Sequence, residues 1–192
     1  MNVLEVKDLG KKIEENINKV IIGRNDTIHM VVAALLAGGN ILLEEVPGSG
    51  KTMLAKCIPT IMPNMTSEEA LETTKIHSVA GMLKDSDGIV YSRPFRSPHH
   101  TATIVAMAGG GKDVKPGEIS LAHLGVLFLD ELPEFQRFLL DSMRQPLEDR
   151  AIVIARAAGN VVYPANFMLV GAMNPCPCGY YPNRNKCRCT QQ

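Results

Sequence analysis

The sequence carries no net charge, no apolar run long enough for a membrane, no internal repeat and no low-complexity tract, and each absence removes a class of explanation. Lys plus Arg and Asp plus Glu balance at 20 each, so a nucleic-acid partner would need a local basic surface. No stretch approaches the roughly 20 uninterrupted apolar residues of a spanning helix. The N-terminal MNVLEVKDLGKKIEENINK is charged and amphipathic, without the apolar run of a signal peptide. A cytoplasmic protein without membrane contact is the expectation. Cysteine is sparse as well: Cys57 stands alone until four cysteines fall together in CPCGYYPNRNKCRC. In a reducing compartment such a cluster favours thiols or metal ligands over disulfides.

What is present suits one domain. The chain has 192 residues, 45% of them apolar, and a mean hydropathy close to zero, which is ordinary for a globular core. Leu9, Ile13, Ile17 and Val20 recur at near-helical spacing, and a second helix is predicted from about Asp26 to Ala37, closing at Gly38 and Gly39. NILLEE (40–45) reads as a short strand and TMLAKCIPTIM as the helix after a glycine-rich loop. From about Met62 to Ser120 the chain is rich in Pro, Gly, Ser and His with little sustained periodicity; RPFRSPHHTAT and AGGGKDVKPGE are loop-like, and some of the segment is read as insertion rather than core. GVLFLDE (125–131) has the continuous apolar run of a buried parallel strand. Phe135, Phe138, Leu139, Met143 and Leu147 predict one apolar helical face, ending near Pro146. AIVIARAAGNVVYPANF predicts a hairpin turning around Gly159 and Asn160, and FMLVGAMN a second buried strand. The expected division is a helical lead-in (1–39), a nucleotide-binding core with inserts (40–175) and a Cys-rich loop (176–190).

EEVPGSGKT (44–52) departs from the phosphate-loop pattern GxxxxGK[ST] at one position, where Glu45 replaces the first glycine. Pro47, Gly48, Ser49 and Gly50 would form the nucleotide-binding loop, in which Gly48 and Gly50 let backbone N–H groups approach the phosphates, Lys51 would reach the β and γ oxygens, and Thr52 would ligate Mg²⁺. Glu45 is tolerable if its carboxylate faces solvent or a cationic partner. LFLDE supplies Asp130 for the Mg²⁺ shell and Glu131 to orient and deprotonate the attacking water, or else merely an acidic helix start. Asn174, at the end of the last strand, is a neutral amide suited to the γ-phosphate or that water, or a structural Asn before Pro. Ligands gather at the carboxyl ends of parallel strands, so the three strand ends belong to one expected ATP site.

FRSPHHT, KPGEISLAHLGVLFLDELPEF, RQPLED and FMLVGAMNPCPCGYY resemble the magnesium-chelatase-like AAA+ ATPases of the ComM/YifB type over roughly residues 58–190. The segment IIGRNDTIHMVVAALLAGGNILLEEVPGSGKT looks more like the MoxR branch of AAA+ proteins, where an acid is common at the first loop position. The resemblance implies an α/β P-loop fold of three layers with a parallel sheet and hairpin inserts. It makes Lys51 and Thr52 the loop ligands, Asp130 and Glu131 the second motif and Asn174 the first sensor. It also implies a homo-hexameric ring with ATP between subunits, and a DNA branch-migration motor. The family's helical lid and arginine finger would lie beyond residue 192, so the expectation is that this chain alone turns ATP over poorly. Arg150, Arg156, Lys112 and Lys115 are candidates to line a pore and touch DNA phosphates, or are a solvated face. A MoxR-like chaperone or chelatase motor acting on proteins is the alternative within the enzyme class. A nonenzymatic, zinc-stapled binding module is the alternative outside it.

Cys176, Cys178, Cys187 and Cys189 form two CxC pairs, enough for a tetrahedral zinc site or simply four surface thiols. His99 and His100 are adjacent in a loop and do not suit a shared metal. His77 and His123 are read as structural, and Cys57 as a small buried hydrophobe.

Overall fold

The computed structural model describes residues 3–84, 88–155, 159–181, 183 and 185–189. In chain order the elements are α1 (Val3–Asn18), α2 (Asn25–Leu36), β1 (Ile41–Glu44), α3 (Lys51–Ile61), α4 (Ser67–Val79), β2 (Phe95–Arg96), α5 (Ile104–Ala108), β3 (Gly109–Gly110), β4 (Lys115–Pro116), α6 (Glu118–Leu121) and β5 (Val126–Leu129). A 3-10 turn (Leu132–Glu134) follows, then α7 (Arg137–Ser142), α8 (Arg144–Asp149), β6 (Ala151–Ile154), β7 (Val161–Pro164) and β8 (Met168–Met173).

The central sheet has the order β1-β8-β5-β2, with every neighbouring pair parallel. All four residues of β5 are buried, as its unbroken apolar run requires. Successive side chains of a strand point to opposite faces, and β5 uses both. Val126 and Phe128 join Ile17, Ile28, Val31, Leu54 and Ile58 beneath α1, α2 and α3. Leu127 and Leu129 join Met107, Ile119, Leu139, Met143 and Ile152 on the other side. The result is the expected three-layer α/β core. Each fully buried side chain of this size contributes roughly 1.5–3 kcal/mol. β2 starts tightly against β5: a Cβ on Gly125 would lie 2.1 Å from the Pro94 carbonyl oxygen, so no side chain fits there.

Three local expectations need correction. Val20 does not share the face of Ile13 and Ile17, because α1 stops at Asn18. The Val20 and Ile21 amides both bond the Ile17 carbonyl, at 3.0 and 2.9 Å, a turn that sends Ile21 inward and leaves Val20 60% exposed. The segment from Met62, read as having little sustained periodicity, contains the 13-residue helix α4, which opens with a capping box between Thr66 and Glu69. Its buried stripe is Ala70, Thr73 and Ile76, and a threonine in that stripe hides the apolar period. The segment 135–147 is not one helix. A helix continued through Pro146 would drive the proline ring into the carbonyl four residues back, and the chain breaks between α7 and α8 instead. Phe138 consequently points outward, 68% exposed.

The hairpin predicted around Gly159 and Asn160 is present as antiparallel β6 and β7. A second antiparallel pair, β3 and β4, carries the loop with Lys112. The Tyr163 hydroxyl donates to the Val114 carbonyl at 2.6 Å and ties the two inserts together. Among the described residues no helix is long and apolar enough to cross a membrane.

Candidate functional site

The carboxyl ends of β1, β5 and β8 lie side by side because all three strands run the same way. From β1 the chain enters the glycine-rich loop, where Gly48 and Gly50 take φ of 77° and 85°, values that favour glycine. Lys51 and Thr52 open α3 immediately afterwards. Ser49 Oγ is buried in this loop with no hydrogen-bond partner in the protein.

Lys51 donates one hydrogen bond to the Glu45 carbonyl and another, of 3.0 Å, to Asn174 Oδ1 just past β8. Thr52 Oγ1 donates to Asp130 Oδ2 at 3.2 Å, just past β5. Asp130 Oδ1 accepts from the Glu131 backbone N–H at 3.0 Å. Residues 78 and 123 positions apart are thus in direct contact. Removal from water lowers the Lys51 ammonium below its ordinary 10.5; nearby Asp130 works against this and Arg24 with it. Glu131 holds a left-handed backbone, φ 53°, which costs a non-glycine residue of order 1–3 kcal/mol, and its carboxylate is about half exposed.

Two partners escaped the sequence reading. Glu45 pairs with the Arg24 guanidinium, and Thr27 Oγ1 lies 3.5 Å from its other oxygen. The acid that replaces the first loop glycine therefore faces a cation from the start of α2. The sequence allowed either solvent or a cationic partner for this carboxylate, and nothing local marks the partner 21 residues away. The second is His100, whose Nδ1 lies 3.1 Å from Glu131 Oε2. Its ring is 4.1 Å from that of His99 and edge-on to Phe135 at 6.4 Å. The sheet accounts for it: β2 is parallel to β5, so the loop after β2 emerges at the same end of the sheet as Glu131, a placement that the sequence alone did not show.

The four clustered cysteines converge. Cys176 Sγ lies 3.3 Å from Cys178 Sγ and 3.6 Å from Cys187 Sγ, and all four sulfurs fall within 4.8 Å of one another. None is in a disulfide. Desolvation opposes the Cys176 thiolate, but hydrogen bonds from the Tyr181 backbone and from Cys178 and Cys187 outweigh it and bring this thiol down to about 6. The Cys189 backbone favours the Cys187 thiolate, yet desolvation and the adjacent sulfurs prevail and push it up to about 11.

The remaining candidates are structural or separate. His77 bonds the Leu121 carbonyl at 3.1 Å, and buried His123 accepts the Asn166 N–H at 3.0 Å. The Glu72 carboxylate comes within 3.3 Å of His123 Nε2 without the alignment of a hydrogen bond. Cys57 is only half-buried, packed at the margin of the core. Lys112, Lys115 and Arg150 are exposed on or beside the two inserts, whereas Arg156 lies outside the described residues.

Residues 18–192 match the family model for magnesium chelatase, subunit ChlI. The chain belongs to that family. It is 48% identical over 168 residues to the uncharacterized protein YifB of Escherichia coli K12, covering 87% of this chain and 33% of YifB. It is 46% identical over 172 residues to the competence protein ComM of Haemophilus influenzae, covering 90% of this chain and 34% of ComM. A magnesium-chelatase 67 kDa subunit of Chlorobaculum parvum is 26% identical, over 76% of this chain and 21% of its own. The chain spans about a third of the length of YifB and ComM. Among solved structures it is similar to a chain of the magnesium chelatase BchI–BchD complex, with a TM-score of 0.57, 22% identity and coverage of 77% and 52% of the two chains. It is also similar to NtrX from Brucella abortus bound to ADP, with a TM-score of 0.51, 18% identity and coverage of 85% and 32%. These likenesses establish the AAA+ fold of this magnesium-chelatase-family chain. The family match runs through Arg24, Glu45 and the phosphate loop, and the MoxR resemblance of that segment finds no support.

Proposed function

We propose that this magnesium-chelatase-family chain is the ATP-binding and ATP-hydrolysing core of a DNA-associated motor of the ComM/YifB type. The observation that carries the nucleotide half is the hydrogen-bonded chain Asn174–Lys51 and Thr52–Asp130 at three adjacent strand ends. The site fits a triphosphate: a desolvated ammonium, the first turn of α3 and an unpartnered buried hydroxyl at Ser49 all face the loop. It fits Mg²⁺ as well, since Thr52 and Asp130 offer hard oxygen donors 3.2 Å apart. When bound there, Mg²⁺ would offset phosphate charge.

Pro47, Gly48, Ser49 and Gly50 form the cradle, and Lys51 reaches into it. Glu131 accepts a proton from the attacking water, with His100 holding its carboxylate. Asn174 orients that water or a γ-phosphate oxygen without adding negative charge. Arg24 offsets Glu45, which would otherwise repel the phosphates.

DNA is favoured over a protein substrate by the higher identity to the competence protein ComM than to the chelatase subunit, 46% against 26%. Lys112, Lys115 and Arg150 on the inserts joined by Tyr163 would meet the DNA phosphates, and a homo-hexamer in the cytoplasm would thread the strand through them. Zinc in the cysteine cluster completes the set of bound ions. The test is ATP turnover by a full-length relative carrying this core, with and without single-stranded and branched DNA. Stimulation by DNA that disappears in Lys112→Ala/Lys115→Ala/Arg150→Ala supports the motor; turnover indifferent to DNA contradicts it.

A further inference from the structure

We propose that Cys176, Cys178, Cys187 and Cys189 form a tetrahedral zinc site that clamps both sides of the nucleotide site, so that metal occupancy controls nucleotide affinity. The proposal rests on the nucleotide site described above. Zinc–thiolate bonds of about 2.3 Å in a tetrahedron place the sulfurs about 3.8 Å apart. Contacts of 3.3, 3.6 and 3.6 Å, with all four sulfurs inside 4.8 Å, need only small adjustments to reach that geometry.

The clamp touches the site at two places. Asn174, whose amide holds Lys51, lies two residues before Cys176, so fixing the first CxC pair fixes where β8 delivers the amide. On the other side, Gly179 turns between the cysteine pairs with φ 72°, and its N–H bonds the Cys176 carbonyl at 2.9 Å. A Cβ there would lie 2.6 and 2.7 Å from Pro47 Cγ and Cδ. The cysteine loop is therefore packed directly against the phosphate loop. Four thiols without an ion have no covalent reason to keep that turn closed, and closing a loop costs entropy that metal–ligand bonds offset.

The test uses the full chain purified without chelator. Zinc is measured by elemental analysis and Mg·ATP affinity by titration with a fluorescent ATP analogue. About one equivalent of zinc is expected, as for a closed four-ligand site. Stripping it, or the Cys187→Ser/Cys189→Ser variant far from Asn174 in sequence, should weaken ATP binding about tenfold. Gly179→Ala keeps all four thiols, so it should keep zinc while losing ATP affinity, even if the cysteine variant fails to fold. Less than about a tenth of an equivalent of zinc overturns the metal site. Full zinc with unchanged ATP affinity in both the stripped protein and Gly179→Ala overturns the coupling. If ATP binding is instead indifferent to Lys51→Ala, the nucleotide reading itself fails, and the zinc content still decides the metal site.

Discussion

The phosphate site and the cysteine cluster adjoin at residues 174–179, but they are built in opposite ways. The first joins Lys51 to Asn174 across 123 positions and Thr52 to Asp130 across 78, so it exists only once β1, β8 and β5 have paired. The second lies within CPCGYYPNRNKCRC, where the four cysteines are near in sequence and none of the described residues between them belongs to a helix or strand. A long-range site takes its rigidity from the sheet. Under the zinc proposal, a local site of this kind would take it from an ion.

That contrast can be broken from the sheet side at Arg24. Arg24→Ala removes the cation that faces Glu45 beside the glycine-rich loop, and on the proposed function Mg·ATP affinity should fall about tenfold, the effect of roughly 1.4 kcal/mol. Restoring glycine at position 45 in the same protein should recover most of it. Full affinity in Arg24→Ala by calorimetric titration would mean that Glu45 never needed its partner.

A second variant sharpens the comparison by touching neither site. Thr66→Ala removes the capping-box acceptor of α4 and should cost about 1 kcal/mol in denaturant unfolding. ATP affinity and zinc content should not move. At the acid pair, His100→Ala should lower turnover about threefold with ATP affinity unchanged, because it releases the Glu131 carboxylate and no phosphate ligand. An equal fall in affinity would place His100 among the binding groups.

The smallest expected effect is a pH dependence seated outside both sites. Burial holds His123 below its ordinary 6.5, with Glu72 and Glu69 only partly opposing this. The unfolded chain therefore binds the proton first, and stability is full above about pH 6.5 and declines as pH falls toward the folded value. Denaturant midpoints for His123→Gln should be flatter across that window than those of the unaltered protein.

Much of this was legible in sequence where apolar pattern and polar ends coincide. VLFL followed by Asp130 and Glu131, and MLVGAM followed by Asn174, each announce a buried strand with a polar end. The parallel sheet then brings these ends to the loop of Lys51 without further information. Less visible was whatever depends on one side chain meeting another from a different element. Arg24 answers Glu45 and His100 answers Glu131, and neither pairing leaves a local mark. Helix α4 was obscured because Thr73 sits in its buried stripe, although TSEE at its start is a capping signature. Pro146 marked an end to the helix expected from Phe135 onward, but the break falls earlier, between Ser142 and Arg144, and Pro146 sits in the first turn of α8, where a proline is tolerated.

The central claim is that Lys51, Thr52, Asp130 and Asn174 act on one triphosphate. The direct test is Mg·ATP affinity of the full chain beside Lys51→Ala and Asp130→Asn, with thermal unfolding as the check on fold. Lys51→Ala should weaken binding about 100-fold, the loss of a charge-assisted contact, and Asp130→Asn should abolish the gain in affinity that Mg²⁺ brings. A folded Lys51→Ala protein that binds Mg·ATP as tightly as the unaltered chain would contradict it.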